Sequence, residues 1–262
     1  MIHPKALSTA AVVALAAAMP ATTAHAQGSI GVAALQEPRF IGSASDRTGP
    51  VPLLDIERSR WLAKTLRGAP EFGAYLLRRE GFELAAIASI DRGRKAEDSA
   101  LLSALGGEDI DPFLSFGLVA SHSGRIGPAP YEVLIRPLQR TGDSDGLTVA
   151  VRGSIGIAEL GPFAALAHAQ VMWADADAQQ LDFSPPHPAN VQPASGPLTP
   201  AFTARSGVRE RRVGLSAQYQ LSPRLRLVAQ WERRQLASGL LSSGLVEQRT
   251  ASALTAGFTF LF

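Results

Sequence analysis

Apolar and polar residues alternate along most of this chain, and they do so with a period of two. The last thirteen residues show it most clearly. Leu254, Ala256, Phe258, Phe260 and Phe262 fall on one side of an extended strand, and Ala253, Thr255, Gly257 and Thr259 on the other. A strand with two unlike faces produces this pattern. The same alternation recurs over Ser29–Gln36, Val51–Glu57, Trp61–Leu66, Phe72–Arg78, Phe82–Asp91 and Phe113–Ser121. It continues over Tyr131–Gln139, Leu147–Ala158, Phe163–Trp173, Val213–Leu221 and Leu225–Arg233. In Val213–Leu221 the odd positions are apolar, and Gly214, Ser216, Gln218 and Gln220 oppose them. No segment carries a sustained helical period.

A soluble sheet with so apolar an edge would invite edge-to-edge aggregation. A closed barrel in lipid has no free edge and needs one face for lipid and one for the lumen. The pattern therefore predicts an all-β fold: an antiparallel transmembrane barrel of twelve strands, or ten if a hairpin in the N-terminal third is lost. The links between the runs alternate in length. Gly161-Pro162 and Ser222-Pro223 are tight, and Ser121–Ala129 holds a G-R-I-G-P turn. Residues 37–50, 92–111, 140–146, 174–207 and 237–248 are long and polar. Bacterial barrels have short periplasmic turns and longer external loops. With a periplasmic C-terminus, the long links all fall outside only if Arg67-Gly68-Ala69-Pro70 breaks the stretch 60–78 into two short strands.

Residues 1–26 read as a secretion signal. His3 and Lys5 precede the apolar stretch Ala6–Met19, and Ala24-His25-Ala26 forms a small-residue cleavage site before Gln27. That stretch is too short to span a bilayer. Residues 27–262 are expected to form one barrel domain in the outer membrane of a Gram-negative bacterium. The chain has no cysteine, so burial and strand closure must hold it together. Its formal net charge of +2 argues against nucleic-acid binding.

Several segments resemble, in order, the MltA-interacting protein (MipA/OmpV) family. They are P-x-P-L-L-D at Pro50–Asp55, Gly81-Phe82 with Asp91-Arg92-Gly93-Arg94, and Glu97-Asp98-Ser99 with Leu105-Gly106. Trp173-Ala174-Asp175 opening an acidic loop, Arg209–Ser216 and Gly257–Phe262 follow. The resemblance covers residues 28–262. The loop after Trp173 departs from the family: Ala178, Asp182 and Ser184 stand where tyrosines are usual, and six prolines occur from Pro185 to Pro200. The resemblance implies a non-enzymatic barrel. Its role would be that of a scaffold between a murein hydrolase and a murein synthase, or a narrow porin-like channel.

The residues themselves offer little catalytic chemistry. Asp175, Asp177 and Asp182 lack the spacing of a cation-binding loop, and so do Glu108, Asp109 and Asp111. Ser121-His122-Ser123 is the local serine–histidine arrangement that a barrel lipid hydrolase would need. It falls near a periplasmic turn. His168 reads as a lumenal polar residue. No catalytic, cofactor-binding or metal-binding residue is assigned. Glu83, Asp91, Glu132, Arg136, Arg152, His168, Gln170, Arg212, Gln218, Gln230 and Glu232 are expected to face the lumen. Arg209, Arg211 and Arg212 are expected on the external rim, within reach of lipopolysaccharide phosphates. The expected partners are membrane lipids and lipopolysaccharide, the barrel-assembly machinery through the strand ending at Phe262, and murein enzymes.

Overall fold

A computed structural model describes residues 28–66, 68–98, 100–104, 109–142, 145–184 and 202–262. The proposed leader, Glu108 and the prolines from Pro185 to Pro200 lie outside the described residues. Twelve antiparallel strands close into a barrel in which each strand pairs with its sequence neighbours and β1 pairs with β12. They are β1 (Gly28–Pro38), β2 (Asp46–Glu57), β3 (Trp61–Leu66), β4 (Ala69–Arg79), β5 (Phe82–Asp91) and β6 (Phe113–Ile126). β7 (Ala129–Arg140), β8 (Gly146–Leu160), β9 (Phe163–Ala174), β10 (Gly207–Ser222), β11 (Leu225–Leu236) and β12 (Thr250–Leu261) complete the wall. Every run of alternation became a strand, and most grew at one or both ends, while β3 and β5 kept the expected bounds. The expected turn at Ser121–Ala129 shrank most: ladder pairs continue to Ile126↔Ala129.

The two faces follow from the alternation. Ile30, Val32, Phe116, Ile135, Val151, Leu215, Leu227, Phe258 and Phe260 are among the large apolar side chains left exposed, and they ring the outside. An apolar surface of that extent is stable only against lipid. Among the described residues no helix is long and apolar enough to cross a membrane. The barrel closes where Phe262 N–H donates to the Gly28 carbonyl at 3.1 Å, extending the β1–β12 ladder by one residue.

Two helices occur where the alternation had suggested only loops: α1 (Ala100–Ala104) and α2 (Ala176–Phe183). Both belong to long links at the external end. There the loops form a lid with its own apolar contacts. Phe40, Leu102 and Leu245 make one cluster. Phe183, Leu236 and Leu240 make another, with Ile41, Phe202 and Val246 against it. The β1–β2 and β11–β12 links are also stitched together, since Glu247 and Gln248 N–H groups both donate to the Gly42 carbonyl.

Candidate functional site

The lumen is the place where this chain concentrates polar chemistry, and it is filled in layers. The uppermost layer is set by α2. Asp175 caps the helix, its Oδ1 accepting from Ala178 N–H at 2.8 Å while its Oδ2 accepts from Leu147 N–H at 2.7 Å. Such a cap satisfies one of the orphan donors of a helix start. Gly146 lets α2 sit this low: a Cβ there would lie 2.5 Å from the Ala178 nitrogen. At the other end Asp182 points into the mouth. Arg140 grips its carboxylate with both terminal nitrogens, at 3.0 and 2.8 Å, and Arg209 adds a third contact at 2.7 Å. Arg94 donates to the Asp182 carbonyl at 3.0 Å. Burial would raise the Asp182 carboxyl, but Arg140 and Arg209 outweigh it and hold it below the usual carboxylate range.

Below this lies a second layer around Glu210, which is fully buried. A register shift between Val208 and Glu210 interrupts the β9–β10 ladder, and Arg209 and Glu210 are both buried there although they are consecutive. A bulge re-aims side chains in this way. Glu210 is paired with Arg212, and Arg234 stands 3.7 Å away. Glu232 faces Arg212 at 3.7 Å and His168 Nε2 at 3.4 Å.

The periplasmic half is looser. A cavity of about 140 Å³ is lined by Asp55, Lys64, Glu71, Glu132, Arg152 and Arg226, among others. Glu71 pairs with Arg136, and Lys64 with Glu57 at 2.6 Å. Arg78 bridges Glu57 at 2.9 Å and Glu83 at 2.6 Å. Buried charges of mixed sign are tolerated because they are paired; removing one partner from such a pair is costly.

Most of the expected lumenal residues take that place. Glu83, Glu132, Arg136 and Arg152 line the cavity. Gln230 and Glu232 line a smaller pocket above it together with Arg212. His168 is buried, and Gln170 stands opposite Arg212. The arginines expected on the rim need correction. Arg209 and Arg212 are buried in ion pairs, and only Arg211 of the three is exposed. No alternation signal marks the bulge that turns Arg209 inward.

The serine–histidine pair weighed from the sequence is not brought together. Ser121 lines the cavity, whereas its neighbour His122 lies on the opposite face and packs on Tyr131. His168 has a carboxylate partner in Glu232, yet its Nδ1 has no hydrogen-bond partner, so no serine hydroxyl is engaged by it. The three acids of the α2 region are also apart in role. Asp175 is a cap, Asp182 holds arginines and Asp177 is exposed. Asp109 is bound to Lys95 at 2.8 Å. Among the described residues no group of acidic, histidine or cysteine side chains is placed to hold a metal ion.

Comparison with solved structures finds outer-membrane barrels at low identity. An outer-membrane channel of Pseudomonas putida F1 is 10% identical, with a TM-score of 0.49 over 94% of this chain and 100% of that one. A loop-deletion form of OmpT, an outer membrane protein of Vibrio cholerae, is 9% identical with a TM-score of 0.40, over 81% of this chain. The match spans 59% of that barrel's own length. The beta domain of a Bordetella autotransporter, Brka, is 14% identical with a TM-score of 0.39, over 90% of this chain and 99% of that one. No curated protein matches the chain. The family described as MltA-interacting protein MipA matches residues 30–262, nearly the whole barrel from β1 to the final phenylalanine, and the chain belongs to that family.

Proposed function

We propose that this outer-membrane barrel is a non-enzymatic scaffold for murein-remodelling enzymes; its family is named for interaction with MltA. One observation carries the reading. The described external segments carry apolar clusters of their own, and beneath them Arg140 and Arg209 hold Asp182 in ion pairs across the mouth. A barrel so filled offers its periplasmic end as the surface for work, and that end faces the murein layer. The mature chain would begin at Gln27 and reach the outer membrane through the barrel-assembly machinery, which would read the strand ending at Phe262.

The test is a crosslinking pull-down from native envelopes, read by mass spectrometry. Recovery of a murein hydrolase or synthase above the level seen with an unrelated barrel supports the scaffold. Recovery of assembly factors alone, together with steady ion conductance by the purified protein, overturns it in favour of a narrow channel.

A further inference from the structure

The turn between β2 and β3 sets an arginine beside a tryptophan on the outer face of the wall. Arg58 N–H donates to the Trp61 carbonyl at 2.8 Å, and Trp61 N–H donates to the Arg58 carbonyl at 3.3 Å, so Ser59 and Arg60 make a tight turn. Residues bonded to each other across two strands put their side chains on one face. That face is the outer one: Trp61 is 68% exposed, and Ile56, two residues before Arg58, lies on the same side of β2. Arg58 is exposed as well, and among the described residues its guanidinium has no ion pair. Arg78, by contrast, is held by both Glu57 and Glu83.

Beside this pair the wall is hollowed. Ladder pairing aligns Ile56, Ala63, Phe72, Ala88 and Phe116 in one row across β2 to β6. The next row toward the turn is Trp61, Ala74, Ala86 and Leu118. In each row alanines stand between large side chains, and the alanines adjoin from row to row. The result is an open groove of about 520 Å³, walled by Trp61, Phe72 and Phe116 and ending at Arg58. That volume lies within the roughly 300–1,000 Å³ of small-molecule sites. Arg58 is the charged residue of the lining, which holds no carboxylate.

An outer-membrane barrel has hydrocarbon against this face, and its short turns lie on the periplasmic side. The leaflet on that side is phospholipid, with its phosphates at the level of the turns and its acyl chains along the strands. We propose that the groove is a binding site for one anionic phospholipid. An acyl chain lies over the alanine floor between the aromatic walls. Arg58 donates to the phosphate through a charge-assisted hydrogen bond, with the Trp61 ring at the interface beside it. The headgroup is of the phosphatidylglycerol type, because the ammonium of a zwitterionic lipid gains nothing from a lining without a carboxylate. A second copy of the chain docked here about a two-fold axis would bring Arg58 toward its own counterpart, like charge against like. The site stands independently of what the periplasmic end recruits.

The test reconstitutes the full barrel in vesicles of equal phosphatidylglycerol and phosphatidylcholine with the same acyl chains. The protein is then extracted in mild detergent, and its retained lipids are counted by native mass spectrometry. The unaltered protein should keep one phosphatidylglycerol in preference to phosphatidylcholine. Arg58→Gln should reduce that preference about tenfold, the effect of one charge-assisted hydrogen bond. Ala86→Leu fills the floor with an apolar group that lipid tolerates, and it should lose the retained lipid of either kind. Arg224→Gln, at the exposed β10–β11 turn, should change nothing. No preference in the unaltered protein overturns the site, and this arm needs no variant to fold. Equal losses in Arg58→Gln and Arg224→Gln, unchanged retention in Ala86→Leu, or a dimer in place of a lipid-bound monomer also overturns it.

Discussion

Replacing Asp182 with asparagine should loosen α2 while leaving the strands intact. The carboxylate receives three contacts of 3.0 Å or less from Arg140 and Arg209, whose side chains are 7% and 6% exposed. Asparagine keeps the size but removes the charge, leaving two guanidinium groups in the mouth without their shared anion. Breaking a buried pair costs about 3–5 kcal/mol. The lower figure suits a site beneath a lid that water reaches once it lifts. About 3 kcal/mol corresponds to roughly a hundredfold change in an opening equilibrium. The lid retains its apolar contacts at Phe183, so the loss falls on local opening rather than on the barrel. Hydrogen exchange is the assay. The amides of Gln179 and Ser184, bonded to the Asp175 and Gln180 carbonyls, report on the helix. They should exchange about a hundredfold faster in the variant, with β8 and β10 amides unchanged. Exchange of α2 within a factor of about three of the unaltered protein would refute the pinning argument.

Other outcomes follow from the same contacts. Acidification should release α2: the Asp182 carboxyl is held below its unfolded value of about 3.9. Its contribution is therefore complete above that value and lost as pH falls through the lower folded value, which α2 exchange measured across that window would show. Phe183→Ala should destabilise the lid by about 3–5 kcal/mol, read as protease cleavage in the external loops with the strands still protected. Leu215→Arg, on the lipid face near mid-barrel, should cost about 2–4 kcal/mol and Leu221→Arg near the periplasmic rim about 0–1 kcal/mol. Equal shifts in denaturant midpoint would contradict the assigned depth. Phe262→Asp should reduce insertion into the outer membrane, as fractionation would reveal, because it puts a charge in place of the exposed ring that lies beside Gly28 at the end of the β1–β12 seam.

The strands were legible because each carries its own signal: alternation needs only neighbouring residues, and lipid and lumen impose it everywhere. What alternation could not report was set by contacts distant in sequence. The helix Ala176–Phe183 has no apolar stripe, with Ala178, Gln179 and Phe183 as its buried residues. It exists because Asp175 caps it, Arg140 and Arg209 hold its end, and Gln179 donates to the Ala174 and Arg205 carbonyls. A helix this short is not stable on its own. The start of β2 was missed for a related reason. Asp46, Thr48, Gly49 and Pro50 read locally as a turn, and only pairing with β1 makes them a strand. The inward turn of Arg209 depends on a bulge, which shifts register without changing composition.

If the barrel acts as the proposed scaffold, the ion pairs around Asp182 should keep it from conducting ions. Planar-bilayer recording of the purified mature protein, with the Asp182→Asn form beside it, tests that most directly. The account predicts no steady conductance from the unaltered protein and brief openings from the variant, becoming frequent as α2 loosens. A steady ohmic conductance from the unaltered protein, unchanged in Asp182→Asn, would contradict it.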